Sequence, residues 1–142
     1  MDDSKSGLKP EPKPKKLGSH KDLLVWQKPM DLAVVVYGLT RKFPKEETYR
    51  LVGQVTRAVA SVPANIAEGY ARATRKDYAH FLAIAKGSLM EAETFLMLAV
   101  RLGYVGKGDA GPTLELITEV SKMLTAIRRR LLENASANPN SP

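Results

Sequence analysis

The chain has 142 residues, 22 Lys and Arg against 15 Asp and Glu, a formal charge of +7 and no cysteine. That length accommodates one compact domain with a core of ordinary size and makes a second independent domain an unneeded assumption. The lack of cysteine excludes disulfides and thiolate metal sites, and with no apolar signal peptide and no bilayer-length apolar run the expected location is cytoplasmic.

The charge is unevenly spread. Residues 1–21 carry Lys5, Lys9, Lys13, Lys15, Lys16 and Lys21 against Asp2, Asp3 and Glu11, so this segment holds +3 and the rest of the chain +4. With almost nothing apolar to bury, residues 1–21 cannot repay the entropy of ordering, and a disordered basic tail is expected there. Residues 22–134 then form the folded unit. The uncharged, turn-forming run Asn134–Pro142 places a second disordered tail over 135–142.

Between the tails, apolar residues recur with helical period in four stretches, and strand-like alternation is absent, so the domain is read as all-α. In the first stretch Val25, Leu32, Val36, Leu39 and Phe43 share a face, and Phe43-Pro44 ends it because a residue before proline is pushed out of the helical region. Pro29 conflicts with a helix begun at Asp22, which predicts a start after Val25 or a kink. The second stretch runs from about Glu46 to Ala73 with Leu51, Val55, Ala58, Val59, Val62, Ile66 and Tyr70 inward. Pro63 removes the bond to the Val59 carbonyl and predicts a bend there.

Thr74, with Asp77 three residues on, opens the third helix, and Gly103 closes it. Tyr78, Leu82, Ala85, Leu89, Ala92, Leu96 and Ala99 form a heptad seam, which implies packing at roughly +20° against neighbouring helices. A loop over residues 103–111 leads to Pro112 as the first residue of the fourth helix. That helix carries Leu114, Ile117, Val120, Leu124, Ile127 and Leu131 to about Glu133. Four long helices with short loops predict an antiparallel up-down-up-down bundle.

Two polar features stand out. On the second helix Gln54, Arg57, Ser61, Asn65, Glu68 and Arg72 form one stripe. A solvated face explains it, but Ser61 and Asn65 are poor helix formers, and short neutral groups favour a helix-helix or subunit interface. With Glu91, which follows the small pair Gly87-Ser88, a network linking Arg57, Glu68, Arg72 and Glu91 is expected to fix register more than to add stability. The second feature is basic: Arg128, Arg129 and Arg130 near the end of helix four, Lys122 two turns earlier, and Arg75, Lys76 and Lys86 on helix three. The helix dipole accounts for one or two of these cations. A phosphate-contacting surface accounts for all of them.

Catalytic chemistry is poorly supplied. His80 is the only histidine within the helices, and eight residues of helix hold it about 12 Å from Ser88. Asp77-x-x-His80 is a single degenerate copy of a di-iron bundle motif that needs two. Gly106-Lys107-Gly108 lacks phosphate-loop spacing and is read as a turn. No cofactor or metal is expected, and the chain is read as a non-enzyme.

The runs Val25-Trp26-Gln27-Lys28, Phe43-Pro44, Gln54-Val55-Thr56-Arg57-Ala58, Pro63-Ala64-Asn65-Ile66-Ala67-Glu68-Gly69 and Gly87-Ser88-Leu89-Met90-Glu91 resemble a bacterial family of small four-helix-bundle proteins encoded in intervening sequences of 23S ribosomal RNA genes. The family is related to the accessory variability protein of diversity-generating retroelements. The resemblance covers roughly residues 22–105. It implies a homopentameric barrel without enzymatic activity and, for the retroelement relatives, a basic surface that engages nucleic acid and a reverse transcriptase. Asn65, Glu68, Gly69 and Glu91 match family signature residues to which the family assigns no chemical role. Pro29 departs from the pattern, and Arg128 to Arg130 lie beyond the match. The resulting expectation is a homo-oligomer that binds structured RNA, with ribosomal RNA as one candidate, through repeated basic surfaces and does not associate with membranes. The alternative is a protein-interaction scaffold, such as an accessory subunit of a reverse transcriptase.

Overall fold

The computed structural model describes residues 19–137, and within them helix is the only regular secondary structure. The parts of the two tails at residues 1–18 and 138–142 lie outside the described residues. A 3₁₀ turn at His20–Asp22 is capped by Ser19, whose hydroxyl accepts from the Lys21 amide at 3.1 Å.

Helix α1 follows as Leu24–Thr40, entered through the Leu23 carbonyl, which accepts from the Trp26 and Gln27 amides. The start after Val25 expected from Pro29 does not occur. Pro29 sits six residues into an unbroken helix with its ring buried, and that burial offsets part of the lost hydrogen bond. The helix also stops at Thr40, three residues before Phe43, because the amides of Arg41, Lys42 and Phe43 switch to bonds three residues back. This tightening turns Phe43 into the core against Tyr104, with ring centroids 5.6 Å apart.

A 3₁₀ turn at Lys45–Glu47 precedes α2, which spans Leu51–Tyr70. The expected start at Glu46 is displaced because the Glu47 carboxylate accepts the Leu51 amide at 3.2 Å, while Arg50 leaves the helical region at φ −122° and ψ −102°. Helix α2 continues through the buried Pro63 and ends three residues short of the expected Ala73. Helix α3 spans Arg75–Arg101 as the sequence indicates: the Thr74 hydroxyl accepts the Asp77 amide at 3.1 Å. At its end Gly103 adopts φ +81°, the Gly103 amide bonds the Val100 carbonyl and the Tyr104 amide bonds the Ala99 carbonyl. This is a Schellman closure, which requires the left-handed conformation glycine supplies.

Helix α4 spans Lys107–Ala137, longer at both ends than the pattern predicts. Residues 107–111 are helical, not a loop, because Ala110 and Val105 are buried and Asp109 pairs at 2.8 Å with Lys42, just past the end of α1. Pro112 is therefore the sixth helical residue. The carbonyl that it leaves unpaired belongs to the exposed Gly108, which water can reach. At the far end no proline intervenes until Pro139, and Ala135 and Ala137 favour the helix.

The helices pack in a ring, α1 on α2, α2 on α3, α3 on α4 and α4 on α1. Between α3 and α4 the links Lys86–Thr125 and Ala79–Arg128 run in opposite chain directions, as do Lys28–Glu119 and Lys42–Asp109 along α1 and α4, and with short connections between successive helices this gives an antiparallel up-down-up-down four-helix bundle. The core is the union of the inward stripes. Leu82, Ala85, Leu89, Ala92, Leu96 and Ala99 of α3 are fully buried, as are Val55, Val59, Val62 and Ile66 of α2. No helix among the described residues is long and apolar enough to cross a membrane.

Candidate functional site

The polar stripe of α2 divides into three parts. Ser61 and Asn65 turn toward α3: the Ser61 and Ser88 hydroxyls lie 3.0 Å apart, and Asn65 Nδ2 donates to the Ser61 carbonyl at 2.8 Å and to its hydroxyl at 2.9 Å. These half-buried groups satisfy one another between α2 and α3, which explains poor helix formers at these positions. One end of the stripe holds Glu68 and Arg72, paired at 2.7 Å, with the Arg72 guanidinium 4.8 Å from the Phe81 ring centroid. At the other end Gln54 and Arg57 are exposed, as is Glu91 of α3, and among the described residues neither Arg57 nor Glu91 makes an ion pair.

The connected network of Arg57, Glu68, Arg72 and Glu91 does not form within the protomer. Eleven residues of helix separate Arg57 from Glu68 by roughly 16 Å, beyond the reach of either side chain. The small pair of α3 also acts differently from expectation. Ser88 permits close approach of α2, whereas Gly87 faces open space, and a Cβ built there meets nothing within 4 Å. The close approach is made by Gly69, where an added Cβ would lie 2.6 Å from the Phe81 Cβ and 3.3 Å from the Tyr78 carbonyl oxygen.

The basic residues converge where α3 and α4 run antiparallel. Lys86 Nζ donates to Thr125 Oγ1 at 2.7 Å, and Arg128 Nε donates to the Ala79 carbonyl at 3.2 Å. Those bonds hold Lys86 and Arg128 beside an open groove of about 660 Å³ that Arg129 also lines, and the half-buried Met90 and Leu132 give it an apolar floor over the buried Leu82 and Leu124. Lys122 is exposed one turn before Thr125, and Arg75 and Lys76 lie one turn before Ala79, so they flank the groove without lining it. Arg130 is exposed outside it. The apolar floor was not anticipated. Its signal is the spacing of Leu82, Lys86 and Met90 and of Leu124, Arg128 and Leu132, which puts an aliphatic pair on either side of a cation.

Other reactive groups are spoken for. His80 is exposed and its ring meets Phe81 edge-on, while Ser88 faces α2, so Asp77, His80 and Ser88 do not converge. No cluster of three or more His, Asp or Glu side chains suited to a metal occurs among the described residues. The Tyr104 hydroxyl donates to Glu47 Oε2 at 2.8 Å, and this bond with the Leu51 amide holds the Glu47 carboxyl below its ordinary range. Burial, with a smaller contribution from nearby Tyr70, pushes the Tyr78 phenol up to about 12.

Residues 21–126 match the model of a family described as 23S rRNA-intervening sequence protein. The match includes α4 as far as Ala126 and stops short of Arg128. A solved structure from Bacteroides thetaiotaomicron VPI-5482, described as a protein of unknown function from the S23 ribosomal protein family, is similar with a TM-score of 0.69. It is 27% identical, and the similarity covers 74% of this chain and 98% of that one. No curated protein matches the chain.

Proposed function

This chain belongs to the 23S rRNA-intervening sequence protein family, and on that premise we propose that it is a non-catalytic, self-assembling helical bundle that binds structured RNA through the cationic edge of α3 and α4. The observation that carries this reading is the convergence of Lys86, Arg128 and Arg129 on one groove, with Lys76 and Lys122 beside it. Such a cluster contacts phosphates irrespective of base sequence, in keeping with a sequence pI near 9.7.

One protomer offers few contacts. Exposed apolar side chains support assembly: Met30, Val34 and Tyr37 follow one face of α1, and Ile84 and Leu98 follow one face of α3 that Leu102 continues just past its end. In a ring of copies, the homopentamer being the expected form, several modest cationic edges act together and raise avidity without any new contact.

The test is binding to a structured ribosomal RNA fragment, duplex DNA and an acidic polypeptide over a salt series. RNA binding that weakens steeply with salt, and that Arg128→Gln with Arg129→Gln lowers by more than tenfold, is the expected result. Equal weak binding to every polyanion would reduce the edge to generic charge. Preference for the acidic polypeptide would favour the scaffold reading, with a protein such as a reverse transcriptase as partner.

A further inference from the structure

The α3–α4 groove differs from the remainder of the cationic edge in having a floor. Phosphate contact alone needs only cations and hydrogen-bond donors and leaves aliphatic side chains with no role. Here the half-buried Met90 of α3 and Leu132 of α4 form the apolar floor of an open recess of about 660 Å³, laid over the buried Leu82 and Leu124. That volume is on the scale of pockets holding small organic ligands, about 300–1,000 Å³. The Arg128 Nε bond to the Ala79 carbonyl tethers its guanidinium at the recess wall, while Lys86 and Arg129 stand at the rim. Glu133 also lines the recess, leaving three cations against one carboxylate. Gly87 puts no side chain into the opening, and the space beside it is empty to 4 Å.

We infer that this recess takes an unpaired nucleotide of the RNA, its base against the aliphatic floor and stacked on the Arg128 guanidinium, its flanking phosphates held by Lys86 and Arg129. The inference rests on the RNA-binding reading above and specifies which part of the RNA is engaged. An A-form duplex turns its bases inward and presents phosphates and 2′-hydroxyls, so it can meet the rim but not the floor. A base in a loop, bulge or single strand exposes a π-face that stacks on a guanidinium plane, and charge complementarity supplies the rest.

The variant that isolates the recess is Gly87→Leu, which fills the opening and alters no charge. Replacing an exposed helical glycine also favours the helix, so the melting temperature holds or rises. Anisotropy titrations would use the full chain with a fluorescent oligouridylate strand, an RNA duplex of equal length and a Leu- and Glu-rich helical peptide. The expected result is a loss of about tenfold in affinity for the strand, the scale of one stacked base, with duplex binding unchanged within twofold. Equal effects on strand and duplex, or no effect on either, would overturn the recess while leaving the cationic edge as the RNA surface. Failure of the unmodified protein to bind any RNA would instead remove the underlying reading. Displacement of the strand by the acidic peptide at lower concentration would assign the recess to a protein helix and overturn the inference.

Discussion

Gly69 illustrates how a single residue sets the geometry of this bundle. The Asn65-Ile66-Ala67-Glu68-Gly69 run is prominent in the sequence, yet nothing in the sequence says what its glycine is for. With the Phe81 Cβ where its own Cβ would be crowded at 2.6 Å, the α2 backbone lies directly against α3 at this level. Gly69→Ala gains roughly 0.5–1 kcal/mol of helix preference but must displace the base of a side chain, an overpacking cost of about 1–3 kcal/mol. A net loss of stability is therefore expected, read as a lower midpoint in urea with an unchanged slope; a raised midpoint would show that α3 yields easily. Tyr78, whose ring also crowds the space beside Gly69, gives a second handle. Its phenol is raised to about 12 in the folded chain and titrates near 10 when unfolded. Between those values the unfolded chain has lost a proton that the folded chain keeps, so stability is intact below pH 10 and declines as pH rises from about 10 to 12. Tyr78→Phe should flatten that part of a melting-temperature profile, and an unaltered profile would place the late-titrating phenol elsewhere.

Helix α3 joins two neighbours through alternating large and small residues, Leu82, Ala85, Leu89, Ala92, Leu96 and Ala99, every one fully buried. Alternation lets facing layers interdigitate, so volume must be conserved position by position. Leu89→Ala should cost about 2–5 kcal/mol through lost burial and a cavity, and Ala92→Leu about 1–3 kcal/mol through overpacking. If chemical denaturation returned less than 1 kcal/mol for both, on the scale of the conservative core swaps that cost little, the seam would be far more plastic than its burial indicates. This seam was legible because its period depends only on side chains that must meet other helices. The Thr74 cap and the Gly103 closure were legible because each acts within its own few residues. Three other boundaries were misread for a common reason: the determining partner is distant in sequence. The Tyr104 hydroxyl holds the Glu47 carboxylate that starts α2, Phe43 turning toward Tyr104 sets the end of α1, and Asp109 meeting Lys42 draws residues 107–111 into α4. The site divides the same way. Cations on α3 and α4 were recognised from composition and spacing, whereas the floor between them exists only once Leu82 and Leu124 are brought side by side.

At the scale of the whole molecule, exposed apolar surface divides between α1, which takes no part in the cationic edge, and the Ile84 and Leu98 face of α3, which shares its helix with Lys86. The cations gather on α3 and α4, while α1 turns outward a stripe of Met30, Val34 and Tyr37 that is 39%, 71% and 48% exposed. Spacings of four and three put these residues on one face, opposite the buried Val25, Leu32, Val36 and Leu39. The inward face already completes the core, so the outward one has no partner within the protomer, as expected of a surface that another copy covers. Val34→Asp tests this directly. The residue is so exposed that the protomer should change in stability by no more than about 0.5 kcal/mol, while an apolar contact between copies would acquire a desolvated carboxylate at a cost of several kcal/mol. Light scattering after size exclusion should then show the mass falling toward a single protomer while helical content is retained. If phosphate contacts from several copies supply the RNA affinity, that affinity should fall by more than tenfold with the mass, because each edge then acts alone. Loss of mass with RNA affinity unchanged would show that one groove suffices. Retention of an oligomer by Val34→Asp would move the contact to the Ile84 and Leu98 face of α3, which lies on the same helix as Lys86 and would couple assembly to the groove itself.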